Sequence, residues 1–175
     1  MERRNFKHLR LALLLAATVF LRAFPRLPNV EPVMASCLPV AKRHGAVAAA
    51  LFAGLAMLAA DALVQRVGWW SLYTAVAYAA VGFAAASFLK PGSSVSRAVG
   101  FSIVGTLFFD VTTMFAFAVQ FGVPLPIAVA GQVPFTLLHL AGNAVFVAVA
   151  SPLVEKFVLP AEDAAASPYK TNLFA

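Results

Sequence analysis

Residues 32–65 read PVMASCLPVAKRHGAVAAALFAGLAMLAADALVQ, two apolar runs parted by the cluster Lys42, Arg43 and His44. The first run, 32–41, has ten residues with Pro39 among them, whereas a helix needs about 20 residues to cross a hydrocarbon core of ~30 Å. Such a run crosses only when other helices shield it, because a proline-interrupted backbone is tolerated at membrane depth only inside protein. The second run, 45–65, is long enough to span alone. Whether the first run crosses decides the fold, since every later loop changes sides with it.

The remaining apolar runs are 9–24, 72–89, 98–121 and 132–153. The first of these gains length from Phe6, Lys7 and His8, whose polar ends can snorkel to the head groups. If all six runs cross, ten of the thirteen basic residues fall on one side: Arg3, Arg4, Lys7, Arg10, Lys42, Arg43, Lys90, Arg97, Lys156 and Lys170. Only Arg22, Arg26 and Arg66 fall on the other. Positive charge stays in the cytoplasm, so the sequence predicts an all-α integral membrane protein with six transmembrane helices and both termini cytoplasmic.

Composition supports that solvent. The chain is 62% hydrophobic and 11% charged, with a mean hydropathy of +0.86, while soluble domains carry about a quarter charged residues. The net charge of +6 then reports topology and contact with anionic lipid, not nucleic-acid binding. The basic start and LALLLAATVFL (11–21) imitate a secretory signal, but FLRAFPRLP (20–28) offers charge, aromatics and proline in place of a small-residue cleavage site. An uncleaved first helix is expected. Two units follow: a six-helix transmembrane domain, 1–159, and a disordered cytoplasmic tail, 160–175, reading PAEDAAASPYKTNLFA. With Cys37 the single cysteine, neither an internal disulfide nor a cysteine-based metal cluster is possible.

The chain carries no GxxxxGK[ST], HExxH or GxSxG motif, so no hydrolysis of ATP or peptides is expected of it. No repeat of transporter type is evident. Polar residues within the runs are more informative, because an ionisable group in hydrocarbon costs at least about 2.5 kcal/mol and normally faces a bundle interior or cavity. Gln132, Thr136, His139 and Asn143 recur at steps of four, three and four, which is one stripe of a helix. Ser102, Thr106, Asp110, Thr113 and Gln120 form a second stripe, and Ser71, Thr74, Tyr78 and Gly82 a third.

Two readings of these stripes stay open. Ser, Thr and Asn serve as interhelical glue at roughly 0.6 kcal/mol each, which suits Ser102, Thr106 and Gly82. Asp110, His139 and Asn143 exceed what glue requires, although a structural Asp110–His139 pair remains an alternative. A metal site lacks a third good ligand. Between the first two runs, FPRLPNVEP (24–32) sets Arg26, Asn29 and Glu31 among prolines, a stiff extended loop. GWWSLY (68–73) puts Trp69, Trp70 and Tyr73 at the outer boundary, as lipid anchors or as a flat ring over a pocket. Asp61 and Gln65 extend this polar mouth, or pair with Arg66 or Arg22.

The succession PRLPNVEPVMASCLPVAKRHG (25–45), MLAADALVQ (57–65) and GWWSLYTAVAYAAVGFAAA (68–86) resembles the substrate-binding S component of energy-coupling factor transporters. The resemblance covers residues 9–157 and rests on pattern and order. It implies capture of a small vitamin-like nutrient from outside, for ATP-driven uptake by a membrane-embedded T component and two ABC ATPase subunits, in a prokaryotic cell membrane. It also implies that Ala12 and Ala16, four apart in ALLLA on the first helix, meet the T component, small residues there letting helices approach closely. Relatives for nickel and cobalt begin with a metal-binding histidine, from which the Met-Glu-Arg start departs, so no metal and no cofactor are expected. The expected pocket residues are Asn29, Glu31, Tyr73, Tyr78, Asp110, Gln132, His139 and Asn143, with no catalytic residue. The rival function is a structural or assembly subunit of a larger membrane complex; a third is an intramembrane enzyme with Asp110 and His139 as acid and base.

Overall fold

The computed structural model describes residues 2–24 and 31–160; Arg26, Asn29 and nearly all of the tail lie outside these. Among the described residues the chain is helical: α1 (Glu2–Ala23), α2 (Pro32–Leu63), α3 (Trp69–Phe88), α4 (Val95–Phe121) and α5 (Leu125–Leu153), then a π-helical turn, Val154–Val158. Four helices are long and apolar enough to cross a membrane: Pro32–Leu63, Trp69–Phe88, Val95–Phe121 and Leu125–Val158. Their outward faces carry large apolar side chains such as Leu51, Leu55, Phe83 and Val104, a surface that suits lipid and not water.

The two runs read as separate from sequence are one element, α2, jointed at Gly45. This residue has φ 84° and ψ −176°, a conformation that glycine alone adopts without strain. Cys37 Sγ lies 3.6 Å from the carbonyl of Ala49, whereas twelve residues of straight helix would hold those positions about 18 Å apart. The two arms therefore fold back on each other.

The first arm is the core of the bundle, with every residue from Pro32 to Lys42 buried. Its proline has a partner-side remedy. Pro39 offers no N–H to the carbonyl of Ala35, and Ser151 of α5 donates to that oxygen instead, at 2.8 Å. Thr18 of α1 reaches the same arm, donating to Ser36 Oγ at 2.9 Å. The second arm buries a stripe of small residues, Ala49, Ala53, Ala56 and Ala60, against α3. A Cβ on Gly82 would stand 2.6 Å from the Ala49 carbonyl oxygen and 2.9 Å from Cys37 Sγ, so the close approach of α3 to both arms depends on that missing side chain.

The other boundaries follow from local chemistry. Ser94 caps α4 by accepting from the Arg97 N–H at 3.3 Å, and Gly122, at φ 62°, ends it in the left-handed conformation. α5 starts at Leu125 and not at 132, because Pro126 in its first turn has no N–H to be missed there. α3 starts at Trp69 and not at 72. At one end of the bundle Lys42 Nζ donates to Glu155 at 2.6 Å and to the Ser93 carbonyl at 3.2 Å, joining the α2 elbow, the α3–α4 loop and the end of α5. At the other end of the first arm Arg22 pairs with Glu31.

Candidate functional site

Three helices and the Arg22–Glu31 end bring their polar side chains together. On α4 and α5 two rungs form in one antiparallel register: His139 Nδ1 lies 2.7 Å from Asp110 Oδ1, and one turn away Asn143 Nδ2 donates to Thr106 Oγ1 at 2.8 Å. Asp110, Thr106, His139 and Asn143 are all at most 1% exposed. The next stripe position inward along α4, Ser102, turns its hydroxyl onto its own backbone at Val99, and Thr113 does likewise to Phe109. Among the described residues the two rungs are the side-chain hydrogen bonds that tie α4 to α5.

Tyr78 of α3 closes the third side. It is fully buried and its ring lies 4.5 Å from that of Phe109. Its hydroxyl stands among Glu31, Arg22 and Asp110 and faces Asn143 without meeting it in hydrogen-bond geometry. His139 is flanked edge-on by Phe109 and Phe135, at 5.7 and 5.6 Å.

Each of these four residues keeps one buried polar atom with no hydrogen-bond partner among the described residues: Tyr78 Oη, Asp110 Oδ2, His139 Nε2 and Asn143 Oδ1. A buried group left so costs about 1–3 kcal/mol, and native proteins hold few of them without a reason. Four from three helices make a set of donors and acceptors with no use in packing. Such a set can bind a small polar molecule, and Asp110 with His139 can also hold or pass a proton.

The site residues expected from sequence divide accordingly. Tyr78, Asp110, His139 and Asn143 come together, with Glu31 at the rim. Tyr73 is 42% exposed and stands apart, and Gln132, half-buried, donates to Thr136 on its own helix at 3.0 Å. Asn29 lies outside the described residues. Ala12 and Ala16 are exposed on α1, away from the buried Leu14 and Thr18. Sequence reading counted Arg22 as an outer charge and as an alternative partner of Asp61 or Gln65 but missed it as a neighbour of the site, and it missed the Thr18–Ser36 and Ser151–Ala35 ties. An apolar groove of about 180 Å³ lies elsewhere, between α3 and α4, lined by Val81, Phe88, Phe101, Val104 and Phe108 among others. No group of three metal-ligating side chains occurs among the described residues.

Residues 2–158 match the family of unknown function DUF6580. The chain belongs to this family. The match covers all five helices and the four residues described above. No curated protein and no solved structure matches the chain.

Proposed function

We propose that this DUF6580 protein is the substrate-binding S component of an energy-coupling factor transporter, capturing a small, polar, ring-containing nutrient at the outer face of a prokaryotic cell membrane. The observation that carries the reading is the set of four unpartnered buried atoms on Tyr78, Asp110, His139 and Asn143. A subunit that served packing alone would gain by removing them. In this reading both arms of α2 and α1 cross together with α3, α4 and α5, giving six spans and cytoplasmic termini. The enclosure of residues 32–42 supports a crossing by so short an arm, and Lys42, Ser93 and Glu155 then share the cytoplasmic end while Arg22 and Glu31 share the outer one.

A T component and two ATPase subunits supply the energy that the chain has no motif to provide. Ala12 and Ala16 are available for that partner, since α1 turns them outward. The rival reading, a structural subunit, draws on the two rungs between α4 and α5, which do join helices.

Purification in mild detergent with mass spectrometry of both small molecules and proteins separates the two. One metabolite at close to one copy per chain is expected, along with a T component that is lost from Ala16→Trp. Recovery of neither, from protein that is folded, would contradict the transporter reading.

A further inference from the structure

We infer that the molecule held at this site is a nitrogen-containing ring compound that presents N–H donors and is neutral or cationic, and is not an organic anion. This rests on the reading of the site as a binding pocket and specifies its ligand.

Consider what the protein has already used and what it leaves. Asp110 Oδ1 is engaged by His139 and Asn143 Nδ2 by Thr106. What remains at Asp110 and Asn143 is a carboxylate oxygen and an amide oxygen, both acceptors. The Tyr78 hydroxyl can accept as well as donate, and His139 Nε2 accepts in the neutral ring whose Nδ1–H is given to Asp110. A ligand rich in N–H groups satisfies these atoms; a carboxylate or phosphate would set acceptor against acceptor.

Charge points the same way. Among the described residues, Asp110 lies in the site and Glu31 at its rim, Asp61 is within electrostatic reach of Arg22, and the Arg22 guanidinium is already held by Glu31. Among the described residues the other titratable groups facing the site are Tyr78 and His139, and the charge of His139 when protonated is balanced by Asp110. An incoming anion therefore meets no uncommitted positive group from α1, α2, α3 or α4. Phe109 and Phe135 beside His139, and Tyr78 against Phe109, offer faces and edges to a flat molecule, and a cation is attracted to such faces.

The test uses a matched pair of probes, benzamidine and benzoate, which share a ring and differ in charge and in donor character. Each is titrated by ligand-detected NMR against the full chain in phosphatidylcholine nanodiscs. Benzamidine should bind at least about tenfold more tightly than benzoate, and Asp110→Asn should remove most of that preference. Because Asp110→Asn can disturb folding, Tyr78→Phe is the second variant. It deletes an atom that holds no bond in the protein and should weaken benzamidine by about threefold or more. Equal or tighter binding of benzoate, or benzamidine binding that neither variant alters, overturns the inference and leaves the pocket standing. Binding of neither probe also overturns it, and if purified protein yields no metabolite either, the pocket reading falls with it.

Discussion

Two buried charge clusters sit at opposite ends of one short helical arm, and they differ in how completely they are closed. At the elbow end Lys42 donates to Glu155 and to the Ser93 carbonyl, and neither Lys42 nor Glu155 keeps a buried atom without a partner. Arg43 Nε beside them is the single open atom there on a residue of that ion-pair group. At the other end the Asp110–His139 pair keeps an open atom on each member, and Tyr78 and Asn143 add two more. The first joins residues 113 positions apart, the second the consecutive helices α3, α4 and α5. Among the described residues the ion-pair group of the first leaves one atom open, on Arg43, whereas the second leaves four. In a solvent where unmet polar groups are costly, that difference is what supports reading the first as a strut and proposing the second as a site.

The comparison breaks most visibly if the clusters do not lie on opposite sides of the membrane. In a Cys37→Ala background, a cysteine placed at Ser94, next to the closed cluster, should be fully protected from impermeant reagents in intact cells. One placed at Asn29 should react. The reverse pattern would invert the topology and remove the open cluster from the outer half.

A large energetic effect is expected from the strut. Lys42→Ala leaves Glu155 without its partner, and breaking a buried pair costs about 3–5 kcal/mol; with the Glu155 side chain 20% exposed, a loss nearer ~2 kcal/mol is expected after allowing for solvent screening. Denaturation in detergent measures it, and the affinity for the captured nutrient should not change. A smaller effect of the opposite kind is expected from the site. Tyr78→Phe removes a hydroxyl with no partner, so stability should hold or rise by up to about 1 kcal/mol. A drop of the size seen for Lys42→Ala would mean that the hydroxyl is bonded after all and that the two clusters do the same work.

Much of this was legible in the sequence, for reasons that particular residues make clear. Helical period alone places Asp110 one turn from Thr106, and His139 one turn from Asn143, so the faces that form the rungs can be read from spacing. The same period also put Gln132 on the α5 stripe, but spacing says nothing of which neighbour a side chain will choose. There the side chain settles on Thr136 of its own helix. The ten-residue run was legible as a segment needing shelter, but the source of that shelter was not. Ser151 serves Ala35 across 116 positions and Lys42 finds Glu155 across 113, pairings that no local pattern announces. Gly45 stood in the sequence as the start of a helix, while its positive φ makes it the joint between two arms.

Calorimetric titration of the co-purified nutrient into the wild-type chain, His139→Ala and Asn143→Ala tests most directly whether the open cluster is a binding site. Each variant removes a side chain with an open buried atom, and if that atom meets the ligand as proposed, at 0.5–3 kcal/mol for a buried hydrogen bond or its unmet partner the affinity should fall by about tenfold in each. If both variants bound the nutrient as the wild type does while remaining folded, the open atoms would be packing features and the pocket would lie elsewhere.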